Sequence, residues 1–135
     1  MKMVNTVAGL IMNDKGEILC AQRSASKYEY ISYKWEFPGG KVEEGENDFQ
    51  TLSRELQEEL DIKVDIQEKL CQVEHDYPDF HLSMPVYKCK LLSNSLKLLV
   101  HTDLKWLQPN QMLSLNWADA DVETAKLAYD TLGKK

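Results

Sequence analysis

Cysteine and proline are scarce in this 135-residue chain, at three and four residues, and glycine stops at six. So little proline and glycine excludes a collagen-like or low-complexity polypeptide. Three cysteines (Cys20, Cys71 and Cys89) are an odd number without metal-ligand spacing, and they read as reduced thiols of a cytoplasmic protein. No apolar run approaches the roughly 18 residues that a membrane span needs. The opening Met1-Lys2-Met3-Val4 lacks the basic-then-apolar layout of a signal peptide. Positive charge is also short: 16 Lys and Arg against 22 Asp and Glu leave a net charge of −6. That balance argues against a nucleic-acid polymer as partner, since a polyanion needs a localised basic patch. A small anion held through a metal ion stays possible.

What is present is an ordinary globular composition, 43% hydrophobic and 28% charged, in a length that suits one domain over residues 1–135. Residues 4–12 predict a strand, 13–16 a turn and 17–22 its hairpin partner. Residues 24–33 read as a loop, and 34–37 as a short extended piece stopped by Pro38-Gly39-Gly40. Asn47, with Gln50 three residues on, predicts a capping box at the start of a helix. Phe49, Leu52, Leu56 and Leu60 give that helix one apolar stripe. Strands are expected over 63–75 and 80–91, joined by a turn at Tyr77-Pro78-Asp79, with a short strand over 103–107. A helical turn over 109–113 and a closing helix over 121–132 follow. Without regular βαβ alternation, the expected class is α/β in the broad α+β sense, a mixed sheet flanked by helices.

The chemistry lies in residues 40–62, GKVEEGENDFQTLSRELQEELDI. Glu55, Glu58 and Glu59 stand at i, i+3 and i+4 and so share one face of the helix, away from the apolar stripe. Like charges at that spacing repel, and the last turn of a helix disfavours anions. A bare acidic triplet reads most simply as a solvated face, the more so because Arg54 can pair with Glu58. Its setting points elsewhere: Glu46 precedes the helix, and a glycine loop precedes the acidic segment. Glycine lets backbone carbonyls approach a cation or phosphates closely. Carboxylates with a carbonyl form the hard oxygen site that Mg²⁺ or Mn²⁺ prefers.

The segment resembles the Nudix box, Gly-x5-Glu-x7-Arg-Glu-U-x-Glu-Glu-x-Gly-U with U aliphatic. Gly40, Glu46, Arg54, Glu55, Leu56, Glu58, Glu59 and Ile62 fall in register, and Asp61 stands where the pattern has its second glycine. That departure touches helix termination rather than the ligand set, since Asp tolerates the left-handed conformation. The resemblance implies an α/β/α Nudix fold and an Mg²⁺-dependent hydrolase, with Mn²⁺ as a possible substitute. It would place the metal on Glu55, Glu58 and Glu59, with Glu46 and a carbonyl of Gly39 or Gly40 assisting and Arg54 orienting Glu55. For the general base it leaves His101, Asp103, Glu55 or Glu46 open, because the stretch before Trp106 has no glutamate.

Outside the box, Ala21-Gln22-Arg23, residues 34–46 and residues 104–107 resemble the MutT branch of nucleotide-pool pyrophosphohydrolases. That likeness implies phosphate contact by Arg23 with Lys41 nearby, and a base pocket bordered by Glu36 and Phe37. Asp121, or Asp119 if the register slips, would read the base edge. Each has a plainer reading: Arg23 as a surface charge, Phe37 as core, Asp121 as a helix cap. The tyrosines at 28, 30 and 33 are expected near the pocket mouth. The implied reaction is nucleoside triphosphate plus water to monophosphate and pyrophosphate, with 8-oxo-dGTP first and CTP or 5-methyl-dCTP second. A nucleotide sugar or dinucleoside polyphosphate is a further alternative. The non-catalytic alternative is a nucleotide-sensing domain. The expected partner is a small nucleotide, with neither polymer nor membrane, in a monomer or homodimer.

Overall fold

The computed structural model describes residues 2–93 and 96–132. Its elements are β1 (Lys2–Met12), β2 (Ile18–Gln22), β3 (Trp35–Glu36), β4 (Gly39–Lys41), α1 (Asp48–Leu60), β5 (Val64–Asp76), β6 (Phe80–Leu91), β7 (Asp103–Leu107) and α2 (Asp119–Leu132). Short 3-10 turns occupy Glu29–Ile31 and Pro109–Ser114. Strands run in the order β3-β2-β1-β6-β5, with β4 also on β1 and β7 also on β2. β1 and β6 pair in parallel while the other pairs are antiparallel, so the sheet is mixed as expected. Among the described residues no helix is long and apolar enough to cross a membrane.

Alternation along the strands sends successive side chains to opposite faces. Ala8 and Leu10 of β1 join one apolar layer with Ile18, Val86 and, from α2, Ala120, Ala125 and Ala128. Val7 and Ile11 join the other with Leu19 and, from α1, Leu52, Leu56 and Leu60. The three leucines of α1 are at most 1% exposed. Burial of each is worth roughly 1.5–3 kcal/mol relative to exposure, which is what seats the acidic helix on the sheet.

The ends of α1 follow the local sequence. Asn47 Oδ1 accepts from the Gln50 N–H at 2.8 Å and Gln50 Oε1 accepts from the Asn47 N–H at 3.0 Å, completing the expected box. At the other end Asp61 adopts φ 54°, ψ 44°, and its N–H donates to the Gln57 carbonyl at 3.1 Å. The left-handed conformation is therefore kept despite the missing glycine, and Lys97 Nζ lies 3.2 Å from the Asp61 carboxylate.

Three expectations are corrected. Phe49 is 49% exposed and meets Tyr87 edge-on, and the inward face of α1 is carried by Thr51, Leu52, Leu56 and Leu60. Helical phase gives the direction of a side chain but not how far along the helix the sheet extends. The extended piece does stop before Pro38, but Gly39 and Gly40 are not merely a loop; they form a separate strand, β4, with Val7 opposite Gly40 and Ala8 opposite Gly39. A Cβ on Gly39 would run into the Val7 carbonyl, so glycine serves here for close backbone approach. The closing helix starts at Asp119, which places Asp121 inside its first turn.

β3 is stitched to the segment leading into α2. The Trp35 N–H donates to the Asn116 carbonyl at 2.9 Å, and the Ala118 N–H donates to the Trp35 carbonyl at 2.8 Å. Phe37 stacks on Trp117 with ring centroids 4.5 Å apart. These contacts bring the start of α2 beside the strands that carry the glycines.

Candidate active site

Arg54 organises the acidic face of α1. Its Nε donates to Glu46 Oε2 at 2.8 Å and its Nη2 to Glu46 Oε1 at 3.0 Å, a two-point clasp. Its Nη1 reaches Glu55 Oε1 at 2.9 Å and Glu58 Oε1 at 3.1 Å, and its Nη2 also donates to the Lys41 carbonyl at 3.2 Å. Glu46 accepts further from the Thr51 hydroxyl and the Glu43 N–H. These bonds hold the Glu46 carboxyl down at about 2, the hydrogen bond from Arg54 being the largest cause. Both Glu46 oxygens are thus occupied within the protein, and its place is that of an anchor for Arg54.

Glu55 packs against the backbone of Gly40, where an added Cβ would overlap the carboxylate itself. Glu59 lies one turn on. Burial pushes its carboxyl up to about 7; His101 opposes the shift, and the negative charges of Glu55 and Glu36 add to it. Glu58 points outward, with 58% of its side chain exposed. Among the described residues no three His, Cys, Asp or Glu side chains converge as a ready cation cage. The donor set nevertheless fits a hard divalent cation: crowded carboxylates on one helix face, and a glycine backbone held against one of them.

Glu55, Glu59, Gly39, Gly40 and Lys41 line one side of a cleft of about 530 Å³, which continues past Arg23, Glu36 and Phe37 to Asp121. Arg23 Nη1 donates to Glu36 Oε1 at 2.9 Å, and His101 Nε2 lies 3.1 Å from Glu36 Oε2. Arg23 therefore reaches the cleft from a fixed ion pair rather than as a free surface charge. Phe37 is buried at 3% exposure and keeps a place on the wall, so the core and pocket readings both hold of it. Asp121 is buried and accepts from the Phe37 N–H at 3.2 Å. Burial holds its carboxyl well above the usual range, the nearby Glu36 charge adds to that, and the Phe37 bond and Arg23 oppose it. Asp119 is exposed and does not line the cleft.

The structure brings most of the sequence-predicted set together and separates the rest. His101 sits buried behind Glu36 and Asp103 pairs opposite Gln22 at the surface; neither lines the cleft. Tyr28 lines it, whereas Tyr30 is tied to Asp79 by a 2.7 Å hydrogen bond and Tyr33 is exposed. Cys20 and Cys89 are buried away from the site, and burial pushes their thiols up to about 12. Sequence reasoning missed the Arg23–Glu36–His101 chain, whose members are far apart in sequence. It also missed Thr6 on the cleft floor, which its alternation with Val4 and Ala8 could have disclosed.

The NUDIX domain family model matches residues 7–126. The chain belongs to the Nudix family. This Nudix chain is 34% identical over 122 residues to the CTP pyrophosphohydrolase of Escherichia coli K12, covering 90% of this chain and 88% of that one. It is 37% identical over 95 residues to the 8-oxo-dGTP diphosphatase of Proteus vulgaris, covering 70% and 83%. Among solved structures, the E. coli ORF135 protein has a TM-score of 0.79 at 32% identity, covering 98% of this chain and 92% of that one. The MutT protein from Methanosarcina mazei Go1 has a TM-score of 0.82 at 26% identity, covering 99% and 97%. The mixed sheet with helices on both faces is the Nudix fold, and the protein is a MutT-like Nudix hydrolase acting on phosphoric anhydride bonds.

Proposed function

We propose that this Nudix hydrolase is a single-domain cytoplasmic enzyme that splits a (deoxy)nucleoside triphosphate with water into the monophosphate and pyrophosphate, with 8-oxo-dGTP as first substrate. The observation that carries the reading is that Glu55 and Glu59, the predicted cation side, and Asp121, the predicted base side, line one cleft. Mg²⁺, or Mn²⁺ in its place, would be held by Glu55, Glu58 and Glu59 with a carbonyl of Gly39 or Gly40. It would supply positive charge against the triphosphate and acidify the attacking water. Arg54 fixes Glu55 while Glu46 fixes Arg54, so the carboxylate is placed before substrate arrives. Arg23 and Lys41 bring cationic groups to the same cleft for the phosphates. Burial favours the protonated form of Asp121, and in that form the carboxyl can donate one hydrogen bond and accept another. That pattern fits the N7–H and O6 edge of 8-oxoguanine.

A second reading, CTP or 5-methyl-dCTP, is favoured by the 34% identity to a CTP pyrophosphohydrolase over 90% of the chain. Cytosine's amino group and ring nitrogen also present one donor beside one acceptor. The test is a panel of 8-oxo-dGTP, dGTP, CTP and 5-methyl-dCTP with Mg²⁺ and then EDTA, products weighed by mass spectrometry. Monophosphate and pyrophosphate that vanish with EDTA support the proposal. Binding without turnover across the panel would instead indicate a sensing domain.

A further inference from the structure

Val4, Thr6 and Ala8 of β1 all line the cleft, as residues two apart on a strand share a face. Leu82 and Met84 of β6 extend the same floor on one side of Thr6, and Lys41 of β4 lies opposite it on the other. Thr6 Oγ1 is buried, and it has no hydrogen-bond partner among the described residues. An unmatched buried hydroxyl weakens a fold, and valine would fill nearly the same volume without that defect. Arg23 Nε is a second buried polar atom without a partner among the described residues, and Arg23 lines the same cleft. Two residues lining one chamber thus each carry a polar atom without a partner among the described residues, and a few well-placed polar groups among apolar ones are what orients a ligand in a pocket.

We propose that Thr6 is a specificity-determining residue, its hydroxyl hydrogen-bonding a polar edge atom of the nucleobase. The proposal rests on the nucleotide reading above. Lys41 lies opposite Thr6, so phosphate charge is met on that side; toward Val4, Ala8, Leu82 and Met84 the floor is apolar and does not compensate a charge. A flat base suits the floor. The hydroxyl gives its proton to an oxo group or ring nitrogen, or accepts one from an amino group. A base edge bearing only C–H toward β1 leaves it unmatched and is disfavoured.

Two substitutions separate the hydroxyl from the methyl group: Thr6→Val removes the first and Thr6→Ser the second. Kinetics on 8-oxo-dGTP, dGTP, CTP and 5-methyl-dCTP with Mg²⁺ are paired with thermal unfolding in the absence of nucleotide. Thr6→Val is expected to lose about three- to tenfold in kcat/KM on the best substrate, mostly through KM, the size of one neutral hydrogen bond. It is expected to unfold no lower than wild type. Thr6→Ser is expected to keep the wild-type KM and to unfold lower. Wild-type KM in Thr6→Val on every nucleotide hydrolysed, or loss in Thr6→Ser with none in Thr6→Val, overturns the proposal. If wild type hydrolyses none of the four, the triphosphate reading has failed; calorimetry with 8-oxo-dGMP and CMP then decides Thr6 separately. There, weaker binding by Thr6→Val alone upholds it, and equal or absent binding overturns it.

Discussion

Arg54 clasps both carboxylate oxygens of Glu46, eight residues back along the chain, at 2.8 and 3.0 Å. The clasp holds the Glu46 carboxyl down at about 2, below its reference value of 4.5. A carboxyl depressed by folding contributes stability above its unfolded value and loses it as pH falls through the folded one. Glu46→Gln is therefore expected to unfold below wild type at neutral pH, with the gap closing between about pH 4.5 and 2. Unfolding midpoints across that range check this, and a gap that ignores pH would count against it.

Glu58→Gln and Glu59→Gln are each expected to reduce kcat by orders of magnitude with the fold intact; Glu59→Gln relieves crowding of like charge, whereas Glu58→Gln gives up only an exposed ion pair with Arg54. Glu68→Gln, at an exposed position of β5, is the control and is expected to behave as wild type. A comparable loss in the control would undercut the assignment.

The two glycines of β4 are expected to fail differently. In Gly39→Ala the new Cβ meets the Val7 backbone carbonyl, which cannot move aside, so a loss of about 1–3 kcal/mol or more is expected. In Gly40→Ala it meets the Glu55 carboxylate, a side chain that can swing away. That variant is expected to stay folded and lose activity. Circular dichroism melts beside rate measurements distinguish the two, and equal melting losses would refute the contrast.

Asp121→Asn is expected to gain stability on wild type as pH rises. Burial holds the folded Asp121 carboxyl well above its reference value of 3.8. Above that value the unfolded chain has already released its proton, so the folded state binds more protons and wild-type stability falls with pH. The fall is at most about 1.4 kcal/mol per pH unit, and asparagine is exempt from it. Denaturant titrations at pH 4, 6 and 8 measure the difference. A constant difference would show that Asp121 is ionised in the folded protein.

The helix α1, its capping box and the acidic register within it were legible because each depends on residues a few positions apart. The strands Phe80–Leu91 and Asp103–Leu107 were legible for the same reason, from apolar content bounded by turn residues. Pairing is different in kind. Nothing local to Gly39 and Gly40 says that Val7 and Ala8 will lie opposite them, so the strand they form after the stop was not legible. His101 could be placed before Trp106 but not behind Glu36, 65 residues earlier in the chain.

The sequence by itself determined which side chains carry charge, which helix carries the glutamates, and the family to which the chain belongs. Periodicity and end-capping act over one or two turns, and a string of residues records them directly. Only the tertiary structure decided that Arg54 clasps Glu46, that Asp121 rather than Asp119 reaches the cleft, and that Thr6 lines it while its buried hydroxyl has no partner among the described residues. Burial and partnership come from elements distant in sequence packing together, and they set whether a polar atom is satisfied, charged or free to bind.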